Sequence, residues 1–125
     1  MIALDASALL AWLFREPGHE VVAEHLGSAC LSAVNLSEVI GRFARDGHDA
    51  GGVAERLATL PVEVVPFGAA EARDAAALLP VTKPLGLSLG DRACLALARS
   101  RGIPALTADR AWLEVASGVD VRVVR

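Results

Sequence analysis

Short, continuously apolar runs alternate along this chain with longer stretches in which apolar residues return every three or four positions. Ile2-Ala3-Leu4, Cys30-Leu31-Ser32 and residues 62–65, 104–107 and 121–124 are runs of the first kind. They are too short for helices and lack the alternation of a half-exposed strand, so they read as buried strands. Between them, Leu36, Val39, Ile40, Phe43 and Ala44 follow the i, i+3, i+4, i+7, i+8 rule, in a helix that Asn35 opens and Asp46-Gly47 closes. The same reading places helices over residues 6–15, 19–26, 52–60, 69–79 and 88–101, and a short one over 109–116. Residues 80–86, with Pro80, Pro84 and Gly86, read as a loop. The helix over 88–101 is apolar almost all round, which requires burial on more than one side. This alternation predicts one α/β domain over residues 1–125, a three-layer α/β/α sandwich with a central parallel sheet of about five strands.

Composition narrows the picture. At 125 residues and 54% apolar content, the chain suits a single domain with a core that needs no staples. Cys30 and Cys94 have no metal-ligand spacing and lie in apolar stretches, so they read as small buried hydrophobes of a reduced, intracellular protein. The apolar run over 6–14 is too short to span a bilayer and follows no basic region, which leads us to expect a cytoplasmic protein without a membrane partner. A net charge of −3 excludes a protein that coats nucleic acid nonspecifically. It leaves a nuclease open, because acids gathered around a cation would be neutralised.

Four acids stand where a strand hands over to a helix: Asp5, Glu38, Asp91 and Asp109. Singly, each has an ordinary use as a helix cap. Ser88-x-x-Asp91 and Asn35-x-x-Glu38 resemble capping boxes, while Asp5 and Asp109 precede helices. Jointly they mean more. Ligands of open parallel sheets bind beyond the carboxyl ends of the strands, where strand order reverses. If the first and fourth strands are neighbours there, all four acids face one crevice. Two carboxylates about 5 Å apart repel by roughly 3 kcal/mol at an effective dielectric near 20. Several such pairs would exceed a capping benefit of about 1 kcal/mol each, and a divalent cation reverses the sign. An oxygen-only donor set favours Mg²⁺ or Mn²⁺ over zinc.

The stretches Leu4-Asp5-Ala6-Ser7-Ala8, Asn35-Leu36-Ser37-Glu38, residues 87–98 around Asp91, and Leu106-Thr107-Ala108-Asp109-Arg110-Ala111-Trp112 resemble the PIN-domain family of nucleases, and within it the VapC-type toxins of bacterial toxin–antitoxin pairs. The resemblance spans nearly the whole chain in the expected order. It implies a sheet ordered 3-2-1-4-5, Mg²⁺- or Mn²⁺-dependent endonucleolytic cleavage of RNA, a homodimer and inhibition by a cognate antitoxin. It carries over Asp5, Glu38, Asp91 and Asp109 as the catalytic and metal-holding acids. Ser7 and Thr107 carry over as hydrogen-bonding supports of that site.

Arg42 and Arg45 share a helix face with Glu38 and are candidates to hold substrate phosphates, as is Arg92 beside Asp91. The ordinary alternative for Arg42 is an i, i+4 ion pair with Glu38. Trp12, Leu13 and Phe14 give the first helix more apolar surface than one buried face needs, which suggests a partner interface. Two other functions stay open. A phosphoryl-transfer domain also gathers acids at strand ends, but it needs a nearby lysine, and Lys83 lies in the 80–86 segment. A catalytically silent PIN module that only binds RNA or protein is the second, and the intact acid set argues against it.

Overall fold

In the computed structural model, which describes residues 1–125, five parallel strands form one sheet. They are β1 (Ile2–Leu4), β2 (Ala29–Ser32), β3 (Glu63–Val65), β4 (Ala105–Thr107) and β5 (Val121–Val123), ordered β3-β2-β1-β4-β5. The expected fold and strand order are both met. β1 pairs Ala3 with Cys30 of β2 on one side and with Ala105 of β4 on the other, so strand order reverses between β1 and β4.

Every residue of β1, β2 and β4 is buried, which is why these strands read as unbroken apolar runs. Successive side chains nonetheless point to opposite faces. Ile2, Leu4, Ala29, Leu31 and Leu106 join one core, together with buried residues of α1 (Ala6–Leu13), α2 (His19–His25) and α3 (Ala33–Arg45). α4 (Ala50–Leu57) adds Leu57 at its margin. Ala3, Cys30 and Ala105 face the other core, built by α5 (Ala69–Ala77), α7 (Leu89–Arg101) and Trp112. Small residues on that face let α7 lie close over the sheet centre, and residues 93–98 of α7 are all buried. Cys30 and Cys94 are free thiols inside this core. No helix is long and apolar enough to cross a membrane.

Several boundaries differ from the pattern reading, each for a local reason. α3 starts two residues before Asn35, because Ser32 both ends β2 and caps the helix, its Oγ accepting the Val34 N–H at 3.2 Å. Residues 80–86 are not a loop: α6 (Leu79–Thr82) runs into a 3₁₀ turn at Lys83–Leu85. Pro80 and Pro84 occupy opening positions whose N–H groups have no helical partner, so proline is tolerated there. α1 stops at Leu13, and Arg15 follows with φ at 54°. α4 begins at Ala50, where the Asp49 side chain accepts the Gly52 N–H at 2.9 Å. The segment after Asp109 is a 3₁₀ turn over Arg110–Glu114.

Candidate active site

Asp5 leaves the end of β1 and caps α1. Its Oδ1 accepts the Ala8 N–H at 2.9 Å and the Ser7 hydroxyl at 2.7 Å, and its Oδ2 accepts the Thr107 hydroxyl at 2.9 Å. Those two hydroxyls in turn accept backbone N–H groups of Ala108 (2.9 Å) and Asp109 (3.0 Å). The network stitches the β1 and β4 ends together and fixes the carboxylate in one orientation. Asp5 is only 4% exposed. Burial outweighs the three hydrogen bonds and, with the nearby Asp91 charge adding to it, pushes its pKa up to about 6.

Asp91 lies at the third position of α7 in a reciprocal capping box. Its Oδ2 accepts the Ser88 N–H at 2.8 Å, while its own N–H reaches Ser88 Oγ at 3.2 Å. Glu38 lies in the second turn of α3, not at a helix start. The expected Asn35–Glu38 capping box is therefore replaced by a side-chain bond, Asn35 Nδ2 to Glu38 Oε1 at 2.8 Å, and Asn35 Nδ2 also reaches Gly90 O at 3.0 Å. The second oxygens of Glu38 and Asp91 have no protein partner.

Asp5, Glu38 and Asp91 line one open cleft of about 490 Å³, with Ser7, Arg42 and Arg45 on its walls. Beneath it, burial first and then the negative charges of Asp5, Asp91 and Glu38 raise the Cys94 thiol pKa well above its ordinary value. Asp109 is not part of this lining. It is exposed and caps the turn that follows, its Oδ1 accepting the Ala111 N–H at 3.0 Å. It joins the group only through its N–H to Thr107, so three of the four acids share the crevice and the fourth stands at its edge. In the rotamers seen here, no three acidic, histidine or cysteine side chains are close enough to hold a metal ion. The donor chemistry still suits a hard cation. The cleft offers oxygen donors, three carboxylates and the Ser7 hydroxyl, and one oxygen each of Glu38 and Asp91 has no protein partner.

The arginines divide. Arg42 and Arg45 reach the cleft, and Arg42 pairs with Asp46 at 3.2 Å rather than with Glu38, while lying 4.9 Å over the Phe14 ring. Arg92 does not line the cleft; its Nη1 donates to Leu87 O at 3.3 Å and its Nε is buried. A narrower cavity of about 220 Å³ lies between α5 and α7, and apart from the exposed Asp74 its charged groups are committed elsewhere. Arg101 forks onto Glu63 at 2.9 Å, and Glu71 accepts the Gly68 N–H at 2.7 Å. That cavity gathers no set of free groups for catalysis. Asn35 is the residue whose part in the site the sequence pattern hid. It looks like a helix opener, and only the helix phase set by Ser32 turns it inward toward Gly90.

The family model described as PIN domain matches residues 2–118 of the chain. Solved structures similar to it include the Mycobacterium tuberculosis toxin VapC20, described as cleaving the sarcin–ricin loop, with 26% identity, a TM-score of 0.72 and coverage of 98% of this chain and 99% of that one. FitAcB from Neisseria gonorrhoeae matches at 23% identity and a TM-score of 0.74, covering 99% and 98% of the two chains. A toxin–antitoxin complex from Klebsiella pneumoniae matches at 18% identity and a TM-score of 0.72, covering 100% and 98%. No curated protein matches the sequence significantly.

Proposed function

Because the chain belongs to the PIN-domain family, we propose that it is a metal-dependent endoribonuclease, the toxin of a toxin–antitoxin pair, hydrolysing RNA phosphodiester bonds. The observation that carries this reading is the convergence of Asp5, Glu38 and Asp91 in one cleft with Arg42 and Arg45 on its wall. Asp5, Glu38 and Asp91 would hold Mg²⁺ or Mn²⁺, with Asp109 at the edge. A bound divalent cation supplies charge that polarises the scissile phosphate and makes a nearby water easier to ionise. Arg42 and Arg45 hold the flanking phosphates. Glu38 and Asp91 each present a free oxygen to the cleft, and one of them orients the attacking water and takes its proton. Ser7 and Thr107 keep Asp5 turned toward the cleft.

A cognate antitoxin and a homodimer belong to the same proposal. Support comes from structural neighbours that are toxin–antitoxin complexes. The first helix adds to it: Phe14 is 39% exposed and stacks on Phe43 with ring centroids 5.2 Å apart, forming an aromatic ledge beside the cleft. Incubating the purified chain with total RNA in Mg²⁺ or Mn²⁺ tests the activity, with EDTA and Asp91→Asn as controls. Fragments that vanish in both controls are expected. RNA bound but uncut would favour a silent binding module, and acyl-phosphate formation would favour phosphoryl transfer.

A further inference from the structure

Gly90 is the second residue of α7, and its backbone is not in the positive-φ region that calls for glycine. Glycine is the poorest helix former after proline, so α7 gains nothing locally from it. A methyl group built there would fall 2.5 Å from both Glu38 Cδ and Oε2 and closer still to Oε1. The space an ordinary side chain would fill is therefore occupied by the Glu38 carboxylate. Asn35 holds that carboxylate from the other side. It is 1% exposed, and its Nδ2 donates both to Glu38 Oε1 and to Gly90 O. Both partners can only accept, which fixes which end of the amide faces them. Its Oδ1 is buried without a protein partner, so the donor end of the amide makes its only protein hydrogen bonds. Without these two features Glu38, on an exposed face of α3 with no other protein bond, would be free to swing into solvent.

We infer that Gly90 and Asn35 are positioning residues: a missing side chain on α7 and a buried amide on α3 together hold the Glu38 carboxylate over the start of α7, next to Asp91. The role rests on the nuclease reading of the cleft. It is tested with Gly90→Ala, Glu38→Gln, the double variant and Asn35→Ser. Three readouts are taken: Mn²⁺ affinity by calorimetry, thermal melting, and the Asn35 side-chain amide resonances in metal-free protein. Gly90→Ala should melt at or above the parent temperature, because only a flexible side-chain end must move aside. It should still weaken Mn²⁺ binding about 10- to 100-fold, the range typical when the outer support of a ligand is lost. It should shift the Asn35 amide resonances as Glu38→Gln does, and cause no further loss of affinity in the Glu38→Gln background. Asn35→Ser should weaken Mn²⁺ binding to a similar degree, which keeps the test alive should Gly90→Ala fail to fold. Parent-like Mn²⁺ affinity with unmoved Asn35 resonances, or an equal loss in both backgrounds, overturns the inference. If the parent binds no Mn²⁺ but Gly90→Ala still moves the Asn35 amide, the cradle stands and the nuclease reading falls. If neither is seen, both fall.

Discussion

Asp5 accepts three hydrogen bonds, each of which favours its charged form, yet burial wins and its pKa rises to about 6. The sign of the consequence follows from linkage. In the unfolded chain the group ionises near 3.8. Between that value and about 6 the folded protein keeps a proton that the unfolded chain has released, so stability falls as pH rises through this window. Above pH 6 the loss is complete, at about 3 kcal/mol. Asp5→Asn should therefore raise the urea midpoint of metal-free protein at pH 8 and leave it little changed at pH 4. An equal gain at both pH values would mean that the charge of Asp5 is not the cause. The sequence placed this carboxylate correctly at the end of β1. What it did not carry is burial deep enough to reverse the usual effect of an N-cap, since that depends on β4 bringing Thr107 alongside from a hundred residues away.

At the scale of elements, legibility followed how local the determinant was. Strand runs and the all-apolar α7 stood out because their periodicity lies within a few residues. Ser32 is hidden as a cap because it ends β2 as well, leaving no polar gap between strand and helix. Asn35 took over that role in the pattern, and its true use, facing Gly90 across two helices, is a tertiary contact that periodicity does not encode. The convergence of Asp5, Glu38 and Asp91 was readable from strand order, whereas the outward position of Asp109 depends on the tight turn after β4. The capping box at α7 ties element to site. Ser88→Ala removes the acceptor of the Asp91 N–H and should cost about 1 kcal/mol. It leaves the Ser88 N–H to Asp91 Oδ2 bond in place. Denaturant midpoints should fall accordingly, while RNA cleavage at temperatures well below melting changes less than in Asp91→Asn. A cleavage loss as deep as that of Asp91→Asn would mean that the cap, not the free carboxylate oxygen, dominates the site.

For the whole molecule, the cleft gathers three carboxylates, only partly offset by Arg42 and Arg45 on its wall, in a chain that is already net negative. The fold places these carboxylates together because α1, α3 and α7 all start from the carboxyl end of the sheet, where strand order reverses between β1 and β4. Such a state is stabilised by anything that binds the folded cleft and not the unfolded chain. At a cation concentration a hundredfold above its dissociation constant, linkage supplies about 2.7 kcal/mol. Mg²⁺ or Mn²⁺ should thus raise the melting temperature at pH 8, where Asp5 is ionised. At pH 5 the rise should shrink, because a proton on Asp5 competes with the cation. Simple screening would also relieve repulsion, so NaCl at matched ionic strength is the necessary comparison. A rise with NaCl equal to that with Mg²⁺ would reduce the effect to screening. A rise specific to the divalent ion, and lost in Asp5→Asn and Glu38→Gln, would tie the stability of the domain to the same carboxylates that are proposed to cut RNA.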